Sequence, residues 1–227
     1  MSVQLKPTAL LAGMAAGGLI AAGLIGLGAP TASAAPKCSD VEVVFARGTA
    51  EPEGLGREGQ AFVDSLKGDL TGRSVSVYAV NYPASYDFMQ ATAGASDASA
   101  HVQATASACP STKIVLGGYS QGAAVIDGIT GDPAALYGLG QPMPPEVANH
   151  VAAVAVLGNP LNRFGGPLTA LSPLYGAKTI DLCNGADPVC SSGGDRPAHS
   201  LYVESGLTSQ AASFAADRIK GANQAAV

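Results

Sequence analysis

Five short runs of apolar residues recur along the chain, and they restrict its fold more than any other feature. A run that is apolar at nearly every position is typical of a strand whose two faces are both covered, as in a parallel sheet between helices. The fifth run is weaker than the others. The predicted strands cover Val41–Ala46, Val75–Val80, Lys113–Leu116, Val151–Leu157 and Lys178–Leu182.

Helical patterns fill the intervals between these strands. In the first, Ala61, Phe62, Leu66 and Leu70 are spaced to share one face. The others are an alanine-rich stretch over residues 89–108, a segment after Ser120 and a last segment over residues 209–220. Alternating strands and helices predict an α/β fold with a central five-stranded parallel sheet, helices on both faces and right-handed crossovers. In such sheets the functional site lies at the carboxyl ends of the strands.

The first 34 residues have the pattern of a secretory signal peptide. Lys6 is their only charged residue, an apolar run extends from Thr8 to Pro30, and Ala32-Ser33-Ala34 offers the small residues that a signal peptidase needs. A retained membrane anchor is the alternative, because the run is long enough to span a bilayer. Its many glycines and the small-residue site favour cleavage. We therefore predict a signal peptide over residues 1–34 and one secreted domain over residues 35–227.

The charge balance excludes one class of partner. Without Lys6, 11 lysines and arginines stand against 17 aspartates and glutamates, which gives a net charge of −6. No basic tract and no basic–aromatic pattern is present, so we predict no nucleic-acid partner. We expect a compact monomer without a membrane span after cleavage, acting on a small-molecule or lipid-like substrate.

Four cysteines in an exported chain indicate two disulfides, although three pairings are formally possible. Cys183 and Cys190 bracket a short loop and are expected to pair, which leaves Cys38 to reach Cys109. A zinc site would need a C-x₂-C or a histidine-rich spacing, and neither occurs. We predict no metal and no cofactor.

The motif Gly-Tyr-Ser-Gln-Gly, residues 118–122, lies where the third predicted strand becomes a helix. A serine on such a tight turn has its hydroxyl pushed out of the sheet, and its neighbours two positions away must be small to avoid collision. By itself the motif could be an ordinary glycine-rich turn. Its position after a strand and before a helix indicates that Ser120 is a nucleophile.

A serine nucleophile needs a base and an acid that orients the base. His199 is the candidate base, because in the chain order serine, acid, histidine it alone leaves room for an acid on a later strand. His101 is expected on a helix surface, and His150 at the wrong end of its strand. Asp187 is the predicted acid, since it lies just past a strand end in the loop that a Cys183–Cys190 bridge would clamp. Asp195, in a Gly-rich segment, is the second choice, and Asp181 lies within the fifth strand, where the pleat fixes its side chain.

Acyl transfer also needs donors for the oxyanion that develops on the substrate. The backbone N–H of Gln121 is one candidate. Thr49, in the loop after the first strand, could supply a second through its N–H and hydroxyl. The alternative for this loop is a plain Gly/Pro turn in which Arg47 makes a structural salt bridge, and the sequence does not separate the two.

Together, "ARGTAEP", "GYSQG", "CNGADPVC" and the histidine twelve positions after the acid resemble the cutinase family, in particular the secreted cutinase-like serine esterases of mycobacteria. The resemblance covers the chain from Cys38 to the last helix. It implies a small α/β-hydrolase without a large lid. It also implies a triad, an oxyanion hole and two disulfides; these are Ser120, Asp187 and His199, then Thr49 and Gln121, then Cys38–Cys109 and Cys183–Cys190.

The resemblance leaves the substrate open, because the family includes cutin hydrolases, acetylxylan esterases, carboxylesterases, lipases and phospholipases. We expect a carboxylic ester hydrolase for short-to-medium-chain acyl or lipid-like esters. A carbohydrate deacetylase and a catalytically silent surface protein are the alternatives. An acyl groove could be formed by Leu161, Phe164, Leu168, Leu171, Leu174, Tyr175 and Val189, which could equally pack their own loop down.

Overall fold

The computed structural model of the chain describes residues 37–132, 138 and 140–224. The predicted signal peptide, residues 1–34, lies outside the described residues. Among the helices that are described, none combines the length and the apolar character needed to cross a membrane.

Five parallel strands form the central sheet, as predicted from the apolar runs. The strands lie in the order β2-β1-β3-β4-β5, so that the first strand along the chain is flanked by the second and third. All neighbouring pairs are parallel. Their bounds are Val41–Ala46 for β1, Val75–Ala79 for β2, Lys113–Tyr119 for β3, Val151–Leu157 for β4 and Thr179–Leu182 for β5.

Helices cover both faces of this sheet. Residues of β1 alternate between two buried clusters, because successive side chains of a strand point to opposite faces. Val43 and Phe45 pack on the side of α1 and α5, whereas Val44 and Ala46 pack on the side of α2 and α3. The helices are α1 (Gly56–Asp69), α2 (Ala91–Ala108), α3 (Gln121–Thr130), the short α4 (Leu168–Leu171) and α5 (Leu207–Gln224).

The buried face of α1 differs by one position from the predicted one. Phe62 and Leu66 are buried as expected, but Val63 is buried where Ala61 was predicted, and Ala61 is only half-buried. Gly59 is also buried on this face, and a Cβ there would lie 2.5 Å from the ring of Phe45. The absence of a side chain at this position lets the helix approach β1 closely.

Strand β3 continues three residues beyond the predicted end at Leu116. Gly117 and Gly118 pair with Phe45 and Ala46 of β1 within the parallel ladder. A Cβ on Gly117 would lie 2.5 Å from the Phe45 ring, so glycine here makes room for a large core side chain rather than ending the strand. The extension carries Ser120 to the carboxyl edge of the sheet.

Both predicted disulfides are present. Cys38 is bonded to Cys109, which joins the segment before β1 to the end of α2. Cys183 is bonded to Cys190, which closes the loop that follows β5. The described residues contain no free cysteine.

Candidate active site

Ser120 occupies a strained turn between β3 and α3. Its backbone has φ of 54° and ψ of −117°, a conformation that residues with a side chain rarely adopt. The turn is held by the Ser120 N–H, which donates to the Leu157 carbonyl at 2.8 Å. The side chain lies at the first turn of α3, where helical N–H groups have no acceptor within the helix.

Two glycines make this turn possible. A Cβ on Gly118 would lie 2.2 Å from the Gly122 carbonyl oxygen, and a Cβ on Gly122 would lie 1.9 Å from the carbonyl oxygen of Ala46. Both obstacles are backbone atoms of buried elements, so neither can move aside at low cost. The small-residue requirement expected from the motif therefore has an identifiable steric origin.

His199 and Asp187 lie in line with Ser120. The Ser120 Oγ is 2.9 Å from His199 Nε2, and His199 Nδ1 is 2.7 Å from Asp187 Oδ2. With the proton on Nδ1, the imidazole donates to Asp187 and its Nε2 accepts from the serine hydroxyl. Asp187 is fully buried, whereas Ser120 is reached from the cleft. This is the hydrogen-bonded order that activates a serine nucleophile.

The structure separates the competing acids. Asp195 is exposed and is not among the partners of His199. Asp181, on β5, accepts hydrogen bonds from the side chains of Asn159 and Asn162 and from the Leu168 N–H, at 2.9–3.0 Å. It anchors the loop after β4 instead of contacting the histidine.

The expectation for His101 was wrong. It was predicted on a helix surface, but its Nε2 lies 3.2 Å from Glu42 Oε1 and its ring stacks on Tyr78 with centroids 3.5 Å apart. The cause is tertiary, because both partners come from strands that the pattern of α2 does not reveal. His150 lies at the amino end of β4, away from Ser120, as expected.

Asp187 is held by groups that the sequence analysis missed as well as by the disulfide loop. The Val189 N–H donates to Oδ1 at 2.8 Å, and the hydroxyl of Tyr202 donates to Oδ2 at 2.7 Å. Tyr202 is fully buried, and burial raises the pKa of its phenol, so it remains a donor. No sequence motif around Leu201 and Tyr202 could have identified this tyrosine.

Tyr119 positions the histidine from the other side. Its hydroxyl donates to the His199 carbonyl, and the two rings lie 5.2 Å apart in a stacked arrangement. Burial raises the pKa of Tyr119 as well. The residue before the candidate nucleophile thus contacts the candidate base directly.

Thr49 and Gln121 lie beside Ser120 in the cleft. The Thr49 hydroxyl is 3.5 Å from Gln121 Oε1, and the Gln121 Nε2 donates to the Ser85 carbonyl at 3.1 Å. Arg47 makes no salt bridge among the described residues. It donates to the backbone carbonyls of Glu51 and Tyr82, at 3.0 and 2.7 Å.

A cleft of about 1060 Å³ opens next to Ser120, and its walls are mostly apolar. Three of the residues predicted for an acyl groove line it, namely Leu161, Phe164 and Val189. The other four do not line it. Leu168 and Tyr175 are buried in the core, and neither Leu171 nor the half-exposed Leu174 is among the residues that line the cleft.

The opposite wall was not predicted. Tyr86 and Phe88, from the connection between β2 and α2, line the cleft and are 78% and 60% exposed. With the exposed Phe164 they form a group of exposed aromatic side chains at one cleft, and grouped exposed apolar side chains are typical of a ligand- or partner-binding surface. Ala91 and Ala124 lie between the walls, where small side chains leave space.

A metal site is not supported within the described part of the chain. The compact group there with metal-binding side chains is Cys183, Asp187 and Cys190. Its two sulfurs are bonded to each other, so they offer no thiolate ligands.

Residues 37–219 match the sequence model of the family described as cutinase. The chain belongs to the cutinase family. It is a carboxylic ester hydrolase with the α/β fold of that family.

Its similarity to cutinase-like proteins of mycobacteria is high. It is 57% identical to phospholipase Culp4 of Mycobacterium tuberculosis over 191 residues, covering 84% of this chain and 83% of that protein. It is 54% identical to carboxylesterase Culp1 of the same species over 195 residues, covering 83% and 85%.

Among solved structures, the protein is similar to a Trichoderma reesei cutinase in complex with a C11Y4 phosphonate inhibitor. The two are 33% identical with a TM-score of 0.64, and the match covers 80% of this chain and 77% of that one. An acetylxylan esterase is 26% identical with a TM-score of 0.69, and the match covers 81% of this chain and all of the other.

Proposed function

We propose that this cutinase is a secreted serine esterase that cleaves fatty-acyl or lipid-like carboxylic esters through an acyl-enzyme on Ser120. The observation that carries the proposal is the continuous hydrogen-bonded chain from Ser120 through His199 to the buried Asp187 at the edge of an apolar cleft. In the first step His199 Nε2 takes the hydroxyl proton while Ser120 Oγ attacks the ester carbonyl.

Charge then moves to two places. The imidazolium of His199 is stabilised by Asp187, and the new oxyanion accepts hydrogen bonds from the Gln121 N–H and from Thr49. The Gln121 N–H is the first of α3, where the positive end of the helix dipole also favours a negative charge. His199 passes its proton to the leaving alcohol, and a water molecule repeats the sequence to release the acid.

The cleft walls support an acyl chain longer than acetyl. Tyr86 and Phe88 on one side and Leu161 and Phe164 on the other offer apolar surface that an acetyl group is too short to contact. Each methylene that leaves water between such walls contributes about 0.8 kcal/mol. This argument favours short-to-medium-chain and lipid-like esters.

A carbohydrate deacetylase is the second candidate. The similarity to an acetylxylan esterase favours this candidate, because the match covers the whole of that enzyme's chain. The exposed tyrosine and phenylalanine at the cleft mouth could stack on sugar rings as well as contact an acyl chain.

Secretion is part of the proposal. Two disulfides are typical of a protein that folds in an oxidising compartment. Mass spectrometry of the protein recovered from the culture medium should give a chain that begins at Ala35. An exported chain that still begins at Met1 would contradict cleavage.

The nucleophile is tested by Ser120→Ala. We expect a loss of activity of several orders of magnitude with an unchanged unfolding temperature, because only one hydroxyl is removed. Ser96→Ala, on an exposed position of α2, is the matched control and should retain full activity. A serine-directed organophosphate should label Ser120 alone. Substantial turnover by a pure Ser120→Ala preparation would refute the proposal.

Substrate class is tested with p-nitrophenyl esters of two to sixteen carbons and with acetylated xylan. We expect kcat/KM to rise from acetate to a medium chain by at least tenfold. A maximum at acetate, together with release of acetate from xylan, would replace the first candidate by the second.

A further inference from the structure

The carboxylate of Glu51 closes the loop that carries Thr49. Glu51 Oε2 accepts the Gly48 N–H and Oε1 accepts the Arg57 N–H, both at 2.6 Å. Gly48 immediately precedes Thr49, whereas Arg57 lies in the first turn of α1. One side chain therefore joins the start of the loop to the helix that follows it.

The loop is shaped around this carboxylate. Gly56 has a φ of +70°, and a Cβ there would lie 2.2–2.5 Å from the carboxylate atoms of Glu51. A Cβ on Gly48 would lie 3.3 Å from Glu51 Oε2 and 2.7 Å from the ring of Tyr119. Both glycines thus leave the space that the carboxylate occupies.

The loop would not keep this shape through local preferences alone. Ala50, next to Thr49, has a φ of +62°, which is unfavourable for a residue with a Cβ. Its N–H donates to the Ala84 carbonyl at 2.7 Å. Because strained backbone persists only where surrounding contacts hold it, the hydrogen bonds of Glu51 are part of what fixes Thr49.

We propose that Glu51 is a positioning residue for the oxyanion hole, holding Thr49 in register with Gln121. The inference rests on the proposed role of Thr49. The Glu51 carboxylate accepts the Gly48 and Arg57 N–H groups, so it acts through the loop.

The test compares Glu51→Ala and Glu51→Gln with Glu53→Ala, a glutamate on the same loop that is exposed. Kinetics on p-nitrophenyl butyrate and inactivation by diethyl p-nitrophenyl phosphate are measured. In both reactions the oxygen that the oxyanion hole binds, carbonyl in one and phosphoryl in the other, gains negative charge. We expect Glu51→Ala to lower kcat and the inactivation rate constant about 10²-fold, the effect of losing one oxyanion donor, with KM changed less than threefold. Glu51→Gln, which retains one acceptor oxygen, should lose about tenfold.

The split between kcat and KM separates positioning from a purely structural role. Positioning lowers kcat and the inactivation rate constant together, in a variant that unfolds at the temperature of the parent. Glu51→Gln decides the matter if Glu51→Ala does not fold. Turnover by Ser120→Ala would instead indicate failure of the proposed mechanism. An inactive Ser120→Ala combined with folded Glu51 variants within twofold of Glu53→Ala would overturn the inference alone.

Discussion

Asp187 shows how much a single side chain depends on its surroundings. Its two oxygens accept hydrogen bonds from the Val189 N–H, the Tyr202 hydroxyl and His199 Nδ1, and no part of it reaches solvent. A buried carboxylate is tolerated when donors compensate for the lost water. With two donors fixing the carboxylate, the third interaction can fix the tautomer of the histidine.

Replacing Asp187 by asparagine tests this arrangement. Asparagine keeps the shape but favours the tautomer with the proton on Nε2, so we expect kcat to fall by roughly 10⁴-fold. Steady-state kinetics with unfolding temperatures on the same preparations measure the loss.

Asp195→Asn is the matched control, because Asp195 is exposed in the same region of the chain. We expect its kcat within twofold of the parent. If Asp195→Asn were crippled and Asp187→Asn were nearly normal, the assignment of the acid would be wrong while the nucleophile could stand.

At the scale of elements, the contact between β1 and α3 is tight enough to determine a residue type. Gly122 approaches the Ala46 carbonyl so closely that a Cβ would lie 1.9 Å from its oxygen. Because β1 lies inside the sheet between β2 and β3, it cannot shift without disturbing both neighbours. We expect Gly122→Ala to destabilise the protein by about 3 kcal/mol or more, or to prevent folding.

Gly68→Ala provides the comparison. Gly68 lies in α1 with nothing within 4 Å of an added Cβ. There the substitution should stabilise the protein by about 0.5–1 kcal/mol through helix propensity. Urea unfolding of both variants gives the two free energies. Equal stabilities would show that the collision is relieved by a movement absent from this structure.

The elements differ in how far the sequence determines them. Strands and the turn at Ser120 were predictable, because the apolar period and the glycine spacing act over a few neighbouring residues. The wall formed by Tyr86 and Phe88 was not, because its connection is held by distant partners, such as the Ala50 N–H on the Ala84 carbonyl. The role of Tyr202 was not predictable for the same reason, because only folding brings its hydroxyl to Asp187.

For the molecule as a whole, a buried acid on α3 links stability to pH. Asp127 is fully buried, and burial, with Asp181 nearby, raises its pKa well above the ordinary value of 3.8. The folded protein therefore keeps a proton that the unfolded chain releases as the pH rises above that value. Since the folded state binds this additional proton, the contribution of Asp127 to stability falls as the pH rises from acid toward neutral.

Asp127→Asn should remove this dependence. We expect it to raise the free energy of unfolding by on the order of 1–2 kcal/mol near pH 8 and by little near pH 4, because the neutral amide resembles the protonated acid. Urea unfolding at the two pH values measures the difference, with the exposed Asp195→Asn as control. If the free energy of unfolding of the parent changed between pH 4 and pH 8 by the same amount as that of Asp127→Asn, the explanation would be contradicted.

The walls of the cleft come from different segments of the polypeptide than the hydrogen-bonded residues Ser120, His199 and Asp187. Residues 80–90 and 158–167 supply Tyr86, Phe88, Leu161 and Phe164, yet they contribute no atom to the line from Ser120 to Asp187. The exposed side chains Tyr86, Phe88 and Phe164 can therefore be replaced without moving a proton path. The main chain around them cannot be exchanged as freely, because the Ala84 and Ser85 carbonyls bind Ala50 and Gln121, and a Cβ on Gly158 would lie 3.1 Å from the His199 ring. A lineage can explore new esters by drift in a few rim side chains while the backbone beneath them, and with it the chemistry, stays fixed.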